Sequence, residues 1–407
     1  MLTMTPSRQA RLFERTSPPH IITLVLLAGI GAMSMSVFLP SLPSMTLAFD
    51  TRYEVMQLAV SLYLAVTAVI QVLIGPISDR YGRRPVMLGS LVIFIFASVG
   101  CLLAPTAEVF LGFRMLQAAV ATGIVLSRAV VRDLYPPAES ASMIGYVTMG
   151  MALVPMLAPM IGGALDQAFG WQSTFVFLIL AGIGVLALTW ADMGETKPAE
   201  GRSFREQLAD TPELFRSRRF WGYVAAAAFA SGSFFAFLGG APFVASEIYG
   251  LSAFWAGVGF GAPAVGYALG NFLSGRYSAR YGINAMVLAG TVLTAGGLTV
   301  AVLLSAIGLS NAVVFFAFCT FVGLGNGLVI PNASAGMLSV RPHLAGTASG
   351  FGSAAMIGGG ALLSVFAGIV MRFGTGSLPL LMLMLVSSLF ALASIRYVIR
   401  REAEVTA

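Results

Sequence analysis

Gly75-Pro76-Ile77-Ser78-Asp79-Arg80-Tyr81-Gly82-Arg83-Arg84-Pro85 is a short polar, basic segment set between two strongly apolar stretches. A worn copy of it returns far down the chain as Gly275-Arg276-Tyr277-Ser278-Ala279-Arg280-Tyr281-Gly282. The two coincide at glycine, serine, arginine, tyrosine and the final glycine, while Asp79 becomes Ala279 and the pair Arg83 and Arg84 is lost. A charged turn repeated at the same place in two apolar halves marks a duplicated membrane protein and predicts two bundles that move against each other. Gly82 permits a tight reversal, and Pro85 suits the first turn of the helix that follows. Asp79 sits among Arg80, Arg83 and Arg84, where an acid can accept backbone N–H groups or pair with arginine. The segment is expected to latch the two halves in one conformation and release them in another.

Composition supports this reading. Hydrophobic residues make up 57% of the chain and charged ones only 10%, against about a quarter in a soluble domain. The mean hydropathy is +0.88. At roughly 20 apolar residues per span, 407 residues accommodate about twelve helices with short loops. A membrane barrel needs alternating polarity, and the runs Phe175 to Thr189 and Leu378 to Leu392 show none. The predicted class is therefore an all-α membrane protein of two pseudo-symmetric six-helix bundles. The 46 glycines suit helix contacts in lipid, where small residues let backbones approach. Cys101 and Cys319 fall far apart inside apolar spans, so no disulfide framework is expected. His20 and His343 stand at polar edges without a cysteine or carboxylate at ligand spacing, so no metal site is expected. Residues 1–19 are polar and carry Arg8, Arg11 and Arg15, so no cleavable signal peptide is expected.

Spans are predicted near 21–43, 54–75, 86–103, 108–129, 141–164, 173–192, 220–240, 253–274, 284–307, 312–334, 347–371 and 376–398. With the N-terminus inside, every Lys and Arg but Arg52, Arg114 and Arg372 falls on the cytoplasmic side. That excess is the positive-inside pattern, and shifting the count by one span would invert it. Both termini are thus expected to be cytoplasmic. The basic balance reflects orientation in the membrane, and no nucleic-acid partner is needed to explain it. The chain divides into a tail (1–20), a first bundle (21–192), a cytoplasmic linker (193–219), a second bundle (220–398) and a closing tail (399–407). The linker holds a mixed-charge run around Ser203 to Phe215 that reads equally as an amphipathic helix on the inner face or as a solvated tether.

Arg114 is the one charge well inside an apolar segment, in Phe113-Arg114-Met115-Leu116-Gln117. A buried arginine costs at least about 2.5 kcal/mol, so it should face a cavity or a partner. Gln117 lies one turn further on the same face. Arginine does not titrate in proteins, so Arg114 cannot itself carry a proton, but it can hold an anion or orient water. In the fifth span, Ala158-Pro159-Met160-Ile161-Gly162-Gly163-Ala164-Leu165 has a partner in Ala355-Met356-Ile357-Gly358-Gly359-Gly360-Ala361-Leu362. Pro155 and Pro159 bend that helix, and with Gly162 and Gly163 they predict a hinge or outer seal. Arg128, Arg132 and Asp133 close the fourth span at the inner face, within reach of the Asp79 turn.

Together these residues resemble the major facilitator superfamily. Gly75 to Arg84 resembles the family's signature between its second and third spans. Arg114 with Gln117 resembles that of the fourth span, and Pro155 to Gly163 the fifth-span pattern of its antiporters. Further pieces resemble its bicyclomycin/chloramphenicol-resistance (Bcr/CflA) branch of drug:proton antiporters. They are Phe38-Leu39-Pro40-Ser41-Leu42-Pro43, Ser127 to Leu134, Trp171, Gly194-Glu195-Thr196, Pro331-Asn332-Ala333-Ser334 and Ala345 to Ser349. The resemblance implies a bacterial inner-membrane exporter of small amphiphilic compounds, driven by inward proton flow, with no cofactor. It also implies a cavity lined by the first, fourth, seventh and tenth spans. The candidates there are Ser34, Ser36, Arg114, Gln117, Phe234, Phe235 and Asn326, with Tyr63, Met151, Tyr267 and Asn271 from neighbouring spans. A bundle with internal pseudo-symmetry needs no partner subunit, so a monomer is expected.

Two departures matter. Ser36 stands where that branch usually has an Asp, and Ala118 where the fourth-span signature has Gly. None of the 17 acids falls in the middle of a predicted span. Coupling to protons needs a group that titrates in the working range, which leaves Asp79, Asp133, Asp166 and Glu54 as the first candidates. A substrate with fixed positive charge finds no buried counter-ion, so neutral or weakly anionic compounds are expected. An uncoupled facilitator, or a proton-linked transporter of a small metabolite or nutrient, is the alternative. An intramembrane enzyme is not expected, since neither histidine lies in a span.

Overall fold

A computed structural model describes residues 12–14, 17–134, 143, 147, 154, 157–196, 211–341, 345–371 and 376–406. Every regular element among them is helical, as bilayer solvent requires of a non-barrel chain. In the first bundle, α1 (Ile21–Ser36) runs on through a 3-10 turn at Leu39–Ser41 into α2 (Leu42–Ala48). Then come α3 (Tyr53–Tyr81), α4 (Arg83–Leu102), α5 (Ala107–Gln117), a 3-10 turn at Ala118–Ala121 and α6 (Thr122–Leu134). A helix over 157–169, α7, and α8 (Gln172–Asp192) complete it. The short α9 (Thr211–Phe215) leads into the second bundle of α10 (Arg218–Phe243), α11 (Ala253–Tyr281), α12 (Ile283–Ala306), α13 (Ala312–Val340), α14 (Ala345–Val370) and α15 (Leu378–Thr406). Ten stretches among the described residues are long and apolar enough to cross a bilayer. α7 and α11 stand at the places of the fifth and eighth predicted spans.

Two boundaries differ from the sequence reading. The polar segment expected as a turn over 75–85 is helical except at Gly82: α3 continues through Tyr81 and α4 starts at Arg83. Hydropathy marks lipid contact, whereas helicity follows the backbone bonds, and these run on to Gly82 N–H, which donates to the Ser78 carbonyl (2.9 Å). Gly82 reverses the chain at φ 98°, and Gly282 repeats this between α11 and α12 at φ 83°, a conformation that favours glycine. The closing tail is likewise helical, since α15 runs through Arg400 and Arg401 to Thr406.

The bundles differ at their two ends. The basic end carries Asp79, Arg80, Arg83, Arg84 and Asp133; the far end carries the starts of α3, α5, α8 and α11. At the far end the bundles are tied together. The Tyr53 hydroxyl donates to the Gly239 carbonyl (2.9 Å), and the Gln57 amide donates to the Ser364 hydroxyl (2.9 Å) and carbonyl. The Tyr53 ring lies against Phe243. Backbone meets backbone beside them: a Cβ on Gly162 would collide with the Val37 carbonyl, and one on Gly163 with the carbonyl of Ala253 across the bundle interface. Aromatic rings fill the same end of each bundle, Phe38, Phe49, Phe110, Trp171 and Phe175 in the first and Phe237, Phe260, Phe315 and Phe316 in the second. The far end is therefore sealed.

Gly163→Val is expected to destabilise this sealed form by about 1–3 kcal/mol through overpacking, read as a lower melting temperature of the detergent-solubilised protein. Gly184→Ala on α8, where an added Cβ meets nothing within 4 Å, is expected to leave that temperature unchanged or raised.

Candidate functional site

Arg114 is the centre of the first bundle's polar interior. It is 1% exposed and reaches from α5 to both α1 and α3. Its Nε donates to the Ala59 carbonyl (3.3 Å), and its two terminal nitrogens donate to the Ser34 hydroxyl (3.1 Å), the Ser34 carbonyl (2.7 Å) and the Gln117 side-chain oxygen. The guanidinium is sandwiched between the rings of Phe38 (4.3 Å) and Tyr63 (4.1 Å). Gln117 in turn donates to the Ser98 hydroxyl of α4 (2.7 Å). No carboxylate among the described residues touches the charge. Neutral carbonyls and two π faces hold it instead, and a desolvated cation–π contact is worth about 2 kcal/mol. α5 ends at Gln117 and passes into the 3-10 turn at Ala118–Ala121, so the helix changes pitch just beyond the bonded face. Such a turn inside a span suits a hinge.

The other cavity candidates are placed apart from this knot. Ser36 is buried, but its hydroxyl turns back to the Ala32 carbonyl (3.0 Å) on its own helix. Phe234 and Phe235 lie on α10, where Phe234 stacks on Phe237 and Phe235 closes on Gly360. Tyr267 and Asn271 sit one turn apart on α11, and the Asn271 amide donates to the Tyr267 carbonyl (2.8 Å). Asn326 is buried on α13. None of these second-bundle residues is bonded to Arg114. Met151, Pro155 and the Arg132 side chain lie outside the described residues.

At the basic end Arg83 joins two acids of the first bundle, Asp79 at 2.7 Å and Asp133 of α6 at 3.0 Å, and also donates to the Ser78 hydroxyl. This places Asp79, Arg83 and Asp133 in one cluster that pins the α3–α4 corner to α6. Arg84 donates from Nε to the Met193 carbonyl (2.7 Å) and from a terminal nitrogen to that of Trp190 (3.1 Å), both on the α8 side. Gly75 sits inside α3 facing open space, and Arg80 stacks on Tyr81. Arg128 lies on α6, in the same helix as Asp133.

Three further acids shape this end, and the sequence reading gave them no role. Asp192, fully buried at the end of α8, accepts from the Phe13 N–H (2.9 Å), the His20 N–H (2.8 Å) and the Thr23 hydroxyl (2.6 Å), and so fixes the start of α1. Glu195 accepts from the Arg83 N–H (2.9 Å) and the Arg84 N–H (3.3 Å). It caps α4, whose own N-cap, Gly82, has no side chain to do so; that bare start was the signal available in the sequence. In the second bundle Glu402 of α15 binds Arg219, the Asn284 amide and the Tyr223 hydroxyl (3.2 Å). In each bundle, then, acids at the end of the last helix hold the starts of the first and third spans.

The chain belongs to the Major Facilitator Superfamily, whose family model matches residues 24–364. It is 32% identical to a chloramphenicol resistance protein of Pseudomonas aeruginosa over 79% of this chain and 76% of that protein. Multidrug resistance protein D of Escherichia coli is 29% identical over 89% and 91% of the two chains, and a bicyclomycin resistance protein homologue of Haemophilus influenzae 28% over 81% and 83%. These relatives place it in the Bcr/CflA-like branch, among transporters rather than enzymes. A solved structure of a bacterial homologue to the human lysosomal transporter Spinster shares the fold, with a TM-score of 0.70 at 18% identity over 93% of this chain and 96% of that one.

Lysine at position 114 would keep the charge but lose the planar fork that reaches four acceptors and lies flat between two rings. Each lost hydrogen bond to a charged group is worth about 1.5–3 kcal/mol. Arg114→Lys is therefore expected to reduce transport by more than about tenfold, with the amount of folded protein in the membrane checked by size-exclusion chromatography.

Proposed function

We propose that the chain is a secondary active exporter of a bacterial inner membrane, moving small neutral or amphiphilic compounds outward against coupled proton influx. Twelve spans with both termini on the cytoplasmic side make the basic end the inner one, in keeping with the positive-inside distribution of Lys and Arg. The sealed far end then faces outward, and alternating access is a rocking of the two bundles that opens and closes the seal formed by α3, α7, α10, α11 and α14. The Asp79–Arg83–Asp133 cluster, which in the sealed form bonds within the first bundle alone among the described residues, would engage the second bundle as the inner latch once the basic end closes. The exporter works as a monomer without a cofactor, using the proton gradient. One proton crossing 100 mV supplies about 2.3 kcal/mol, roughly a fiftyfold gradient of a neutral compound.

The observation that carries the substrate class is the Arg114 knot, a buried positive charge with no acid bonded to it among the described residues. A cationic compound entering the first bundle meets like charge in a low dielectric, whereas a neutral compound rich in carbonyl, nitro or hydroxyl acceptors does not. The names of the chloramphenicol and bicyclomycin resistance relatives point to the same class. Ser36 favours a second reading, an uncoupled facilitator or a proton-linked carrier of a small metabolite or nutrient, because a serine cannot titrate.

Proteoliposomes loaded with a pH-sensitive dye separate the two. Imposing a chloramphenicol gradient is expected to drive counter-movement of protons that a protonophore abolishes. Chloramphenicol flux with no proton movement would establish the facilitator, and absence of flux for chloramphenicol and bicyclomycin alike would remove the drug-export reading.

A further inference from the structure

Most of the acids are already committed. Asp79 and Asp133 share Arg83, Asp192 accepts three donors, Glu195 caps α4, Glu213 pairs with Arg341 (2.7 Å), and Glu402 and Glu404 are paired within the second bundle. Glu54 bonds Arg52 (3.1 Å), and Asp50, Glu108 and Glu247 are exposed. Asp166 differs from all of these. It is half-buried on α7, one turn past Gly163, where backbone of the first bundle meets backbone of the second.

Its carboxylate oxygens accept only from the Ser44 hydroxyl, at 3.2 and 3.3 Å. Beside them the Ser41 hydroxyl is fully buried and makes no hydrogen bond. No cation among the described residues is bonded to Asp166. α2 and the first turns of α8 and α11 carry no charged residue. The other charged groups described at this end are Asp50, Arg52, Glu54, Glu108 and Glu247, and none of them is bonded to it.

We propose that Asp166 is a proton-binding site built into the far seal, and that taking up a proton there favours the sealed conformation. This rests on the alternating-access reading above. In the sealed form a negative charge is held against apolar surface with hydroxyl donors alone; once the seal opens, water solvates it. Neutral Asp166 instead fits the seal, with its O–H able to donate to the unpartnered Ser41 oxygen. Asp166 lies beyond the 141–164 span, and burial raises its carboxyl above the usual carboxylate range, with the Ser44 hydroxyl pulling partly the other way. The sealed form therefore binds the proton more tightly than the open form. Its advantage is fully present at low pH and is lost as pH rises through the sealed-state pKa. Protons arriving from the far side would close the seal behind a departing substrate.

The test reads seal opening without needing a substrate. Ala256, 3% exposed on the first turn of α11, is replaced in the full-length protein by Ala256→Cys and labelled from the far side with a membrane-impermeant maleimide between pH 5 and 8. Rates are divided by those at the exposed Ser252→Cys, which removes the thiol's own pH dependence, and the protein without either change gives the background from Cys101 and Cys319. A one-unit difference in proton affinity between the two forms shifts their ratio about tenfold, so the normalised rate is expected to rise by about that factor with pH. Asp166→Asn is expected to flatten the profile. Ser44→Ala, which removes a donor to the ionised form, is expected to move the midpoint to higher pH. A pH-dependent profile that survives Asp166→Asn, or a midpoint unmoved by Ser44→Ala, would overturn the assignment, as would labelling of the parent at a rate independent of pH. No labelling of Ala256→Cys at any pH would contradict the alternating-access reading itself.

Discussion

A guanidinium buried in a membrane bundle with no counter-ion among the described residues is the constraint on which the first bundle depends. Arg114 has to find acceptors or destabilise the fold by several kcal/mol, and it finds them on two other helices, in the Ser34 hydroxyl and carbonyl and the Ala59 carbonyl. That requirement fixes α1, α3 and α5 relative to one another. It also explains why Phe38 and Tyr63 stand where they do, since a planar cation with carbonyls at its rim leaves only its two faces to cover. Gln117 extends the knot to Ser98 of α4, so four elements share one charge. Because those partners are neutral, the site keeps a net positive charge among the described residues, and the proposed substrate class rests on that charge.

Around that centre the two ends are built on opposite physics. The far end relies on close approach: glycine against carbonyl at Gly162 and Gly163, and rings filling the rest. Such contacts are directional only through shape, so they can part and re-form as bodies rock. The basic end relies on acids that gather helix starts within each bundle, Asp192 and Glu195 in the first and Glu402 in the second. Those bonds make each bundle a unit at the end that must separate. The duplication is only partly kept. Gly82 and Gly282 turn alike, but Ala279 replaces Asp79, and the second bundle has no counterpart of the Asp79–Arg83–Asp133 cluster among its described residues.

The fold was legible in the sequence to the extent that it follows from hydropathy and repetition. The second copy at Gly275 announced the duplication, and the apolar runs placed the spans. What hydropathy could not show was helicity beyond the lipid, so 75–81 read as a turn although α3 carries on through it. Arg114 stood out because a lone charge in an apolar run has one physical meaning. Its partners did not, since two of the three groups it takes from other helices are backbone carbonyls, which every residue owns. Glu195 and Asp192 looked like ordinary span-end acids, and their roles depend on which helix start lies opposite, a matter of tertiary placement. The second-bundle candidates came from resemblance alone, and none of them is bonded to the knot.

If Arg114, with no acid bonded to it among the described residues, sets the charge of what is carried, efflux must sort compounds by charge. Efflux from cells should be compared for a neutral compound, chloramphenicol, and a lipophilic cation, ethidium, in the parent protein and in Ser36→Asp, which restores a carboxylate to the helix that holds Ser34. The parent is expected to export chloramphenicol and leave ethidium, and the variant to gain ethidium export. A parent protein that exports ethidium as readily as chloramphenicol, with Ser36 in place, would contradict it.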